Sequence, residues 1–177
     1  MRIAITGGSG FLGRALIQRL TKSGADRIVT FSRCEHRRAA LQTEFGWHPG
    51  FRVYSGDVRD EWRMRDIFGG CEAVIHAAAR KIVTGHPDEP MEMLKTNVQG
   101  TQNVIEAARQ AGCGKVVLIS SDKACRPENV YGVSKALAEH LTISANARTF
   151  SNGLRAGVVR YGNVLGSRGS VLGRWRR

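Results

Sequence analysis

A chain of 177 residues can bury one core and is short for two, and 42% apolar with 24% charged residues describes a globular protein, neither disordered nor fibrous. The formal charge of +12 comes from Lys and Arg spread along the chain, with local groups only at Arg37 and Arg38 and at Arg174, Arg176 and Arg177, so it reads as solubility and attraction of small anions, with no nucleic-acid partner expected. No run approaches the roughly 20 apolar residues of a membrane span, and the opening MRIAITGG runs straight into a strand, so a cytoplasmic protein without a membrane partner is expected.

Short β-branched runs alternate with longer amphipathic stretches, the pattern of successive βαβ units. Strands are expected at Arg2–Thr6, Arg27–Phe31, Phe51–Ser55, Ala73–His76, Lys115–Ser120 and Gly157–Arg160. Helices are expected at Phe11–Lys22, Glu35–Phe45, Pro90–Gln110 and Val130–Ala147, with a weaker one near Glu61–Phe68. In the helix from Pro90, Met93, Leu94, Val98, Val104, Ile105 and Ala108 share one broad apolar side. Right-handed crossovers then give an α/β fold, a doubly wound parallel sheet of order 3-2-1-4-5-6, with ligands at the strand carboxyl ends where the order reverses.

After the first strand, Thr6-Gly7-Gly8-Ser9-Gly10-Phe11-Leu12-Gly13 spaces Gly7, Gly10 and Gly13 three apart. A tight turn, close approach of backbone to a pyrophosphate and close packing of helix on strand each need a residue without Cβ, and the helix amino end adds free N–H donors. Because the pattern follows a strand and opens an amphipathic helix, it reads as a Rossmann-like dinucleotide loop, with Ser9, Phe11 and Leu12 among its cofactor contacts. The second strand ends Thr30-Phe31-Ser32-Arg33, without the acid that would take the adenosine ribose hydroxyls. NADP is therefore expected over NAD, with Ser32 and Arg33 on the 2′-phosphate and Arg37 or Arg38 as helpers. Asp57 and Val58 are placed to meet the adenine, and Ala77, Ala78 and Ala79 offer small side chains where the cofactor passes. The whole of residues 1–177 reads as a single dinucleotide-binding domain.

Cys34, Cys71, Cys113 and Cys125 lie far apart without zinc-site spacing and are expected to be free thiols; the five histidines are equally scattered, so no metal is implied.

Strand five runs into Ser120-Ser121-Asp122-Lys123-Ala124, and ten residues beyond Ser121 a helix opens with Tyr131-Gly132-Val133-Ser134-Lys135. Tyr131 and Lys135, four apart, share a helix face, so the ammonium is expected to lower the phenol pKa and make Tyr131 a usable base. The Ser121 hydroxyl can hold the same substrate oxygen.

With the glycine loop, these residues resemble the extended short-chain dehydrogenase/reductase superfamily. SSDKACRPENVYGVSK, VVRYGNVLGSRGSV at Val158 to Val171, FSRCE, HAAARKIV at His76 to Val83 and KTNVQGTQNVIEAA narrow the likeness to the inverting UDP-N-acetylglucosamine 4,6-dehydratases and related polysaccharide-biosynthesis proteins. The resemblance implies that Tyr131 deprotonates the C4 hydroxyl while the cofactor takes the hydride. The ketone acidifies C5, and Asp122 and Lys123 supply the base for C5 and the acid for the leaving C6 hydroxyl. It also implies substrate contacts from Lys81 and Asn163, a packing role for Asn97, and a homo-oligomer.

Relatives of this kind continue past the RYGN segment into a small substrate domain, whereas this chain stops at Arg177 and its final GRWRR departs from their pattern. The substrate domain is therefore expected to be absent, and an apolar surface around Tyr161 to Leu172 to lack cover. Two other functions fit the same residues: a UDP-sugar 4-epimerase or other dehydratase using Ser121, Tyr131 and Lys135, and an inactive cofactor-binding fragment.

Overall fold

The computed structural model describes residues 1–81, 89–148 and 153–164. Six strands, β1 (Arg2–Thr6), β2 (Arg27–Ser32), β3 (Phe51–Ser55), β4 (Ala73–His76), β5 (Lys115–Ser121) and β6 (Arg155–Tyr161), form one parallel sheet of order β3-β2-β1-β4-β5-β6. The order reverses at β1, which lies between β2 and β4, as the alternating pattern predicts.

Side chains alternate across the sheet because strand period is two. In β1, Ile3 and Ile5 enter one cluster with Ile17 of α1 (Phe11–Lys22) and Leu41 and Phe45 of α2 (Glu35–Phe45). Ala4 points to the other, with Met64, Ile67 and Phe68 of α3 (Glu61–Phe68) and Val104, Ile105 and Ala108 of α5 (Gly100–Gln110). This two-sided burial is why the strands read as near-continuous apolar runs. Cover is thinner toward β6, where Val159 is 51% and Tyr161 39% exposed. Residues 165–172 of the surface expected around Tyr161 to Leu172 lie outside the described residues, as do Ile82 and Val83 of the HAAARKIV run and Arg174, Arg176 and Arg177.

Several boundaries differ from the sequence reading. The helix expected over Pro90–Gln110 begins as α4 (Glu89–Leu94), passes through a π-helical turn at Lys95–Gln99 and continues as α5. The wider turn faces Asn97 inward, where it is buried. The last long helix, α6 (Val130–Ala145), ends two residues early in a 3₁₀ turn at Asn146–Arg148, where the Asn146 amide exchanges hydrogen bonds with both backbone groups of Ala156. Strand β6 starts at Arg155 because its pairing with β5 opens at Lys115. Strands β2 and β5 each run one residue longer than expected, paired through Ser32↔Ser55 and Ser121↔Tyr161.

Cys34 and Cys125 are exposed and Cys71 and Cys113 buried, all as free thiols. Among the described residues no helix is long and apolar enough to cross a membrane, and no three His, Cys, Asp or Glu side chains gather as metal ligands would.

Candidate functional site

The turn between β1 and α1 is built by exclusion of side chains. Gly7 has φ +73°, and a Cβ there would stand 2.7 Å from the backbone of Ala77 and Ala78. A Cβ on Gly13 would stand 2.3 Å from the Gly7 carbonyl oxygen, so α1 lies directly on the turn. Gly8, which the three-residue spacing passes over, is just as constrained, since its Cβ would meet Thr30 Oγ1 at 2.1 Å. Gly10 donates to the Gly7 carbonyl at 2.9 Å and caps α1 without any side-chain bond, in contrast to α3 and α6, whose first turns are capped by Asp60 and Asn129. The first N–H groups of α1 thus carry no side-chain cap and bring the positive end of the helix to the β1–β4 junction. Phe11 is exposed and Ser9 and Leu12 half-buried beside it, and Ala77 and Ala78 line the far wall. Turn, helix end and wall fit the pyrophosphate of a dinucleotide.

A chain of buried hydrogen bonds runs from this turn to α6. The Ala78 N–H donates to Thr6 Oγ1 at 3.1 Å, and Thr6 Oγ1 lies 2.6 Å from His76 Nδ1. On its other side His76 Nε2 lies 3.1 Å from Thr101 Oγ1, whose own proton goes to the Asn97 carbonyl at 2.6 Å. Thr101 therefore accepts from His76 Nε2–H, and His76 Nδ1 accepts from Thr6. Burial, helped by Lys135, pushes His76 down to about 3 and keeps it neutral. Asn97 accepts from Arg80 N–H at 2.7 Å and donates to the Arg80 carbonyl and to Ser134 Oγ, each at 2.9 Å; Ser134 in turn donates to the Tyr131 carbonyl. Asn97 thus does more than pack: it ties the segment after β4 to the helix that carries Tyr131.

At the carboxyl end of β5, Ser121 is buried and donates to Asp122 Oδ1 at 2.9 Å. Lys123 Nζ reaches Asp122 Oδ1 and Asn163 Oδ1, each at 3.2 Å, so Ser121, Asp122, Lys123 and Asn163 form one cluster. The Ser121 hydroxyl, and then Lys123, hold the exposed Asp122 carboxyl below its usual range. A Cβ at Gly132 would stand 2.5 Å from the Lys123 carbonyl oxygen, so α6 presses against this segment.

Tyr131 is half-buried on α6, and burial raises its phenol above the ordinary 10.0, with Tyr161 and Asp122 adding to the rise and Ser121 opposing it. The expected lowering by Lys135 is not found. The Lys135 ammonium is turned to the Ile119 carbonyl at 2.7 Å, and burial pushes it down to about 8.

At the end of β2, Arg33 is exposed and its guanidinium lies 3.4 Å from Asp57 Oδ2. Asp57 also takes three bonds from Arg59, two from its guanidinium at 2.9 and 2.8 Å and one from its backbone N–H at 3.0 Å, and these with Arg33 hold its carboxyl low despite partial burial. Its expected place at the adenine edge is thus shared with two arginines. Val58 is buried against Gly100, where a Cβ would stand 2.8 Å from Val58 Cγ2. Arg38 donates to the Ser32 and Arg33 carbonyls at 2.9 and 3.1 Å, shaping the loop from below, while Arg37 stays exposed. Ala79 and Lys81 are both exposed past β4.

The family described as polysaccharide biosynthesis protein matches residues 3–177. This chain belongs to it. The chain is 41% identical over 171 residues to the inverting UDP-N-acetylglucosamine 4,6-dehydratase of Campylobacter jejuni, covering 96% of this chain and 51% of that protein. It is also 42% identical over 175 residues to the UDP-glucose 4-epimerase of Rickettsia rickettsii, with the same coverage. The dTDP-glucose 4,6-dehydratase DesIV of Streptomyces venezuelae, solved with NAD and TYD bound, superposes with a TM-score of 0.76 at 27% identity over 90% of this chain and 55% of that one. The chain spans about half the length of the curated relatives it matches.

Beside this site two residues stand out that sequence reasoning missed. Glu139, one turn beyond Lys135, is buried, and its two oxygens take the Arg160 guanidinium of β6 in a fork. Their only sequence signal is a charged residue four after Lys135 on the same helix face.

Proposed function

We propose that this chain dehydrates UDP-N-acetylglucosamine to a UDP-4-keto-6-deoxy sugar, with inversion at C5, in an NADP-dependent reaction of glycan biosynthesis. The observation that carries the reading is the Ser121, Asp122, Lys123 and Asn163 cluster, which puts a carboxylate and an ammonium beside the serine at the end of β5. Bound in the glycine turn, the dinucleotide would take the C4 hydride and return it to C6, leaving no net redox change. Ser32 and Arg33, at a strand end without an acid, support NADP.

Tyr131 accepts the C4 hydroxyl proton, and Ser121 holds that oxygen by hydrogen bond. Because burial raises the phenol, proton acceptance depends on positive charge nearby, which Lys135 supplies through N–H donors beyond the one on Ile119. With C4 a ketone, the C5 proton is acidic. One of Asp122 and Lys123 takes it, the other protonates the departing C6 hydroxyl, and water leaves. Return of a proton to C5 from the opposite face gives the inverted product. Lys81 and Asn163 contact the substrate.

The 42% identity to a UDP-glucose 4-epimerase favours a second reading, in which Ser121, Tyr131 and Lys135 oxidise and re-reduce C4 without elimination. Native mass spectrometry of the chain with NADP and UDP-N-acetylglucosamine, with proton NMR of the sugar nucleotide to read its C4 configuration, tests both. The first reading expects bound NADP and a sugar nucleotide lighter by one water, lost in Asp122→Asn and Lys123→Met. Unchanged mass with a new C4 epimer, insensitive to those substitutions, supports the epimerase. NADP bound and sugar untouched would leave a cofactor-binding module alone.

A further inference from the structure

Glu139 is a carboxylate that the proposed chemistry does not use, and it is buried with a side chain only 6% exposed. Burying such a charge is costly unless it is paired, and an apolar residue of similar size would serve packing better. Its partner Arg160 is half-exposed on β6 and gives it two parallel bonds, Nε to Oε1 at 2.8 Å and the second from Nη2, while Nη1 reaches Cys125 Sγ at 3.2 Å. Register places Arg160 opposite Ser120 and Tyr161 opposite Ser121, so the fork anchors α6 to the sheet edge directly beside the candidate site.

On α6 Glu139 follows Lys135 by four residues, and both are buried on the same face. Among the described residues the Lys135 ammonium has an uncharged near environment otherwise: the Ile119 carbonyl on β5 and neutral His76 on β4. Arg160 on β6 is engaged by Glu139, and Asp122 and Lys123 at the end of β5 are engaged with each other. Glu139 is therefore the carboxylate placed to compensate Lys135, and it also raises the Lys135 pKa against the effect of burial.

We propose that Glu139 is a positioning residue, which the Arg160 fork locks in place so that it keeps the Lys135 ammonium charged and α6 seated with Tyr131 against Ser121. The proposal rests on the reading of Tyr131 and Lys135 as the proton-handling pair, but its test needs neither cofactor nor sugar. The Lys135 ammonium is titrated by NMR in the full chain carrying isotope-labelled lysine. In Glu139→Gln, which keeps size and loses charge, the ratio of protonated to neutral Lys135 at fixed pH falls by about tenfold or more. In Glu139→Asp, with the carboxylate drawn back one methylene, it falls by roughly threefold. A role in packing alone would lower thermal stability without moving the Lys135 midpoint. An unchanged midpoint in Glu139→Gln, or in Glu139→Asp should the amide variant not fold, overturns the proposal. Failure of NADP to bind would overturn the proposed function and leave this titration as it stands.

Discussion

Thr6 and His76, seventy residues apart in sequence, meet at 2.6 Å between the ends of β1 and β4, where the sheet order reverses. The contact joins the glycine turn to the hydrogen-bond chain through Thr101 and Asn97, so the two halves of the site share one buried network.

That network makes stability depend on His76. Its folded pKa, about 3, lies below the ordinary 6.5, so the unfolded chain binds the extra proton between those values. Stability from neutral His76 is full above about 6.5 and declines as pH falls toward 3. From pH 6.5 to pH 5 the loss is roughly 1.5 kcal/mol. Asp57, Asp122 and Glu139 are held low, so their share of acid loss begins only further down, in the carboxylate range. Urea titrations across that window give the slope, and His76→Gln, though less stable, should be flatter by that amount. An equal slope in both proteins would refute the assignment.

Gly7 and Gly24 separate backbone strain from crowding. Both have positive φ, +73° and +71°, but a Cβ meets the Ala77 and Ala78 backbone at Gly7 and nothing within 4 Å at Gly24. Gly24→Ala should cost about 1 kcal/mol from conformation alone. Gly7→Ala should cost about 3 kcal/mol and abolish dinucleotide binding, because the wall beside the turn must move. Equal urea midpoints for the two variants would show that the turn is not packed as described.

The sheet was legible because its strands are buried on both faces, so Ile3 to Ile5 and Val116 to Leu118 read as apolar runs whichever side they face. The places of Ser121 at a strand end and of Tyr131 and Lys135 on one helix were legible because strand-end and helix spacing are local. The π turn at Lys95–Gln99 was not: nothing in KTNVQ forbids an ordinary helix, and the turn is set by what Asn97 finds at Arg80 and Ser134. The fork between Glu139 and Arg160 depends on strand register across twenty-one residues, which helix periodicity does not carry. The direction of the Tyr131 shift was misread for a similar reason. Four-residue spacing puts Lys135 on the right face, yet the Ile119 carbonyl competes for its ammonium.

Gly132 lets α6 press on the segment that carries Lys123. A Cβ there would meet the Lys123 carbonyl oxygen at 2.5 Å and Pro127 Cα at 3.0 Å, both backbone atoms that can yield only by moving the segment. Gly132→Ala should therefore leave NADP affinity unchanged while turnover falls about 100-fold, the scale of an ångström-sized misplacement. Parallel losses of binding and turnover would mean instead that the helix as a whole had shifted.

The proposed preference for NADP over NAD rests on Arg33. It stands exposed at the end of β2, with the Ser32 and Arg33 carbonyls held from beneath by Arg38, so its guanidinium can exchange the 3.4 Å contact with Asp57 for a phosphate. A phosphate offers three charged oxygens to a planar fork, and Asp57 keeps Arg59 when Arg33 leaves. Arg33→Ala should weaken NADP by about 10- to 100-fold, the worth of one charge-assisted contact, and leave NAD affinity where it was. Calorimetric titration of both cofactors into both proteins measures this. If NADP and NAD weaken together, Arg33 shapes the loop without reading the 2′-phosphate, and the preference for NADP falls with it.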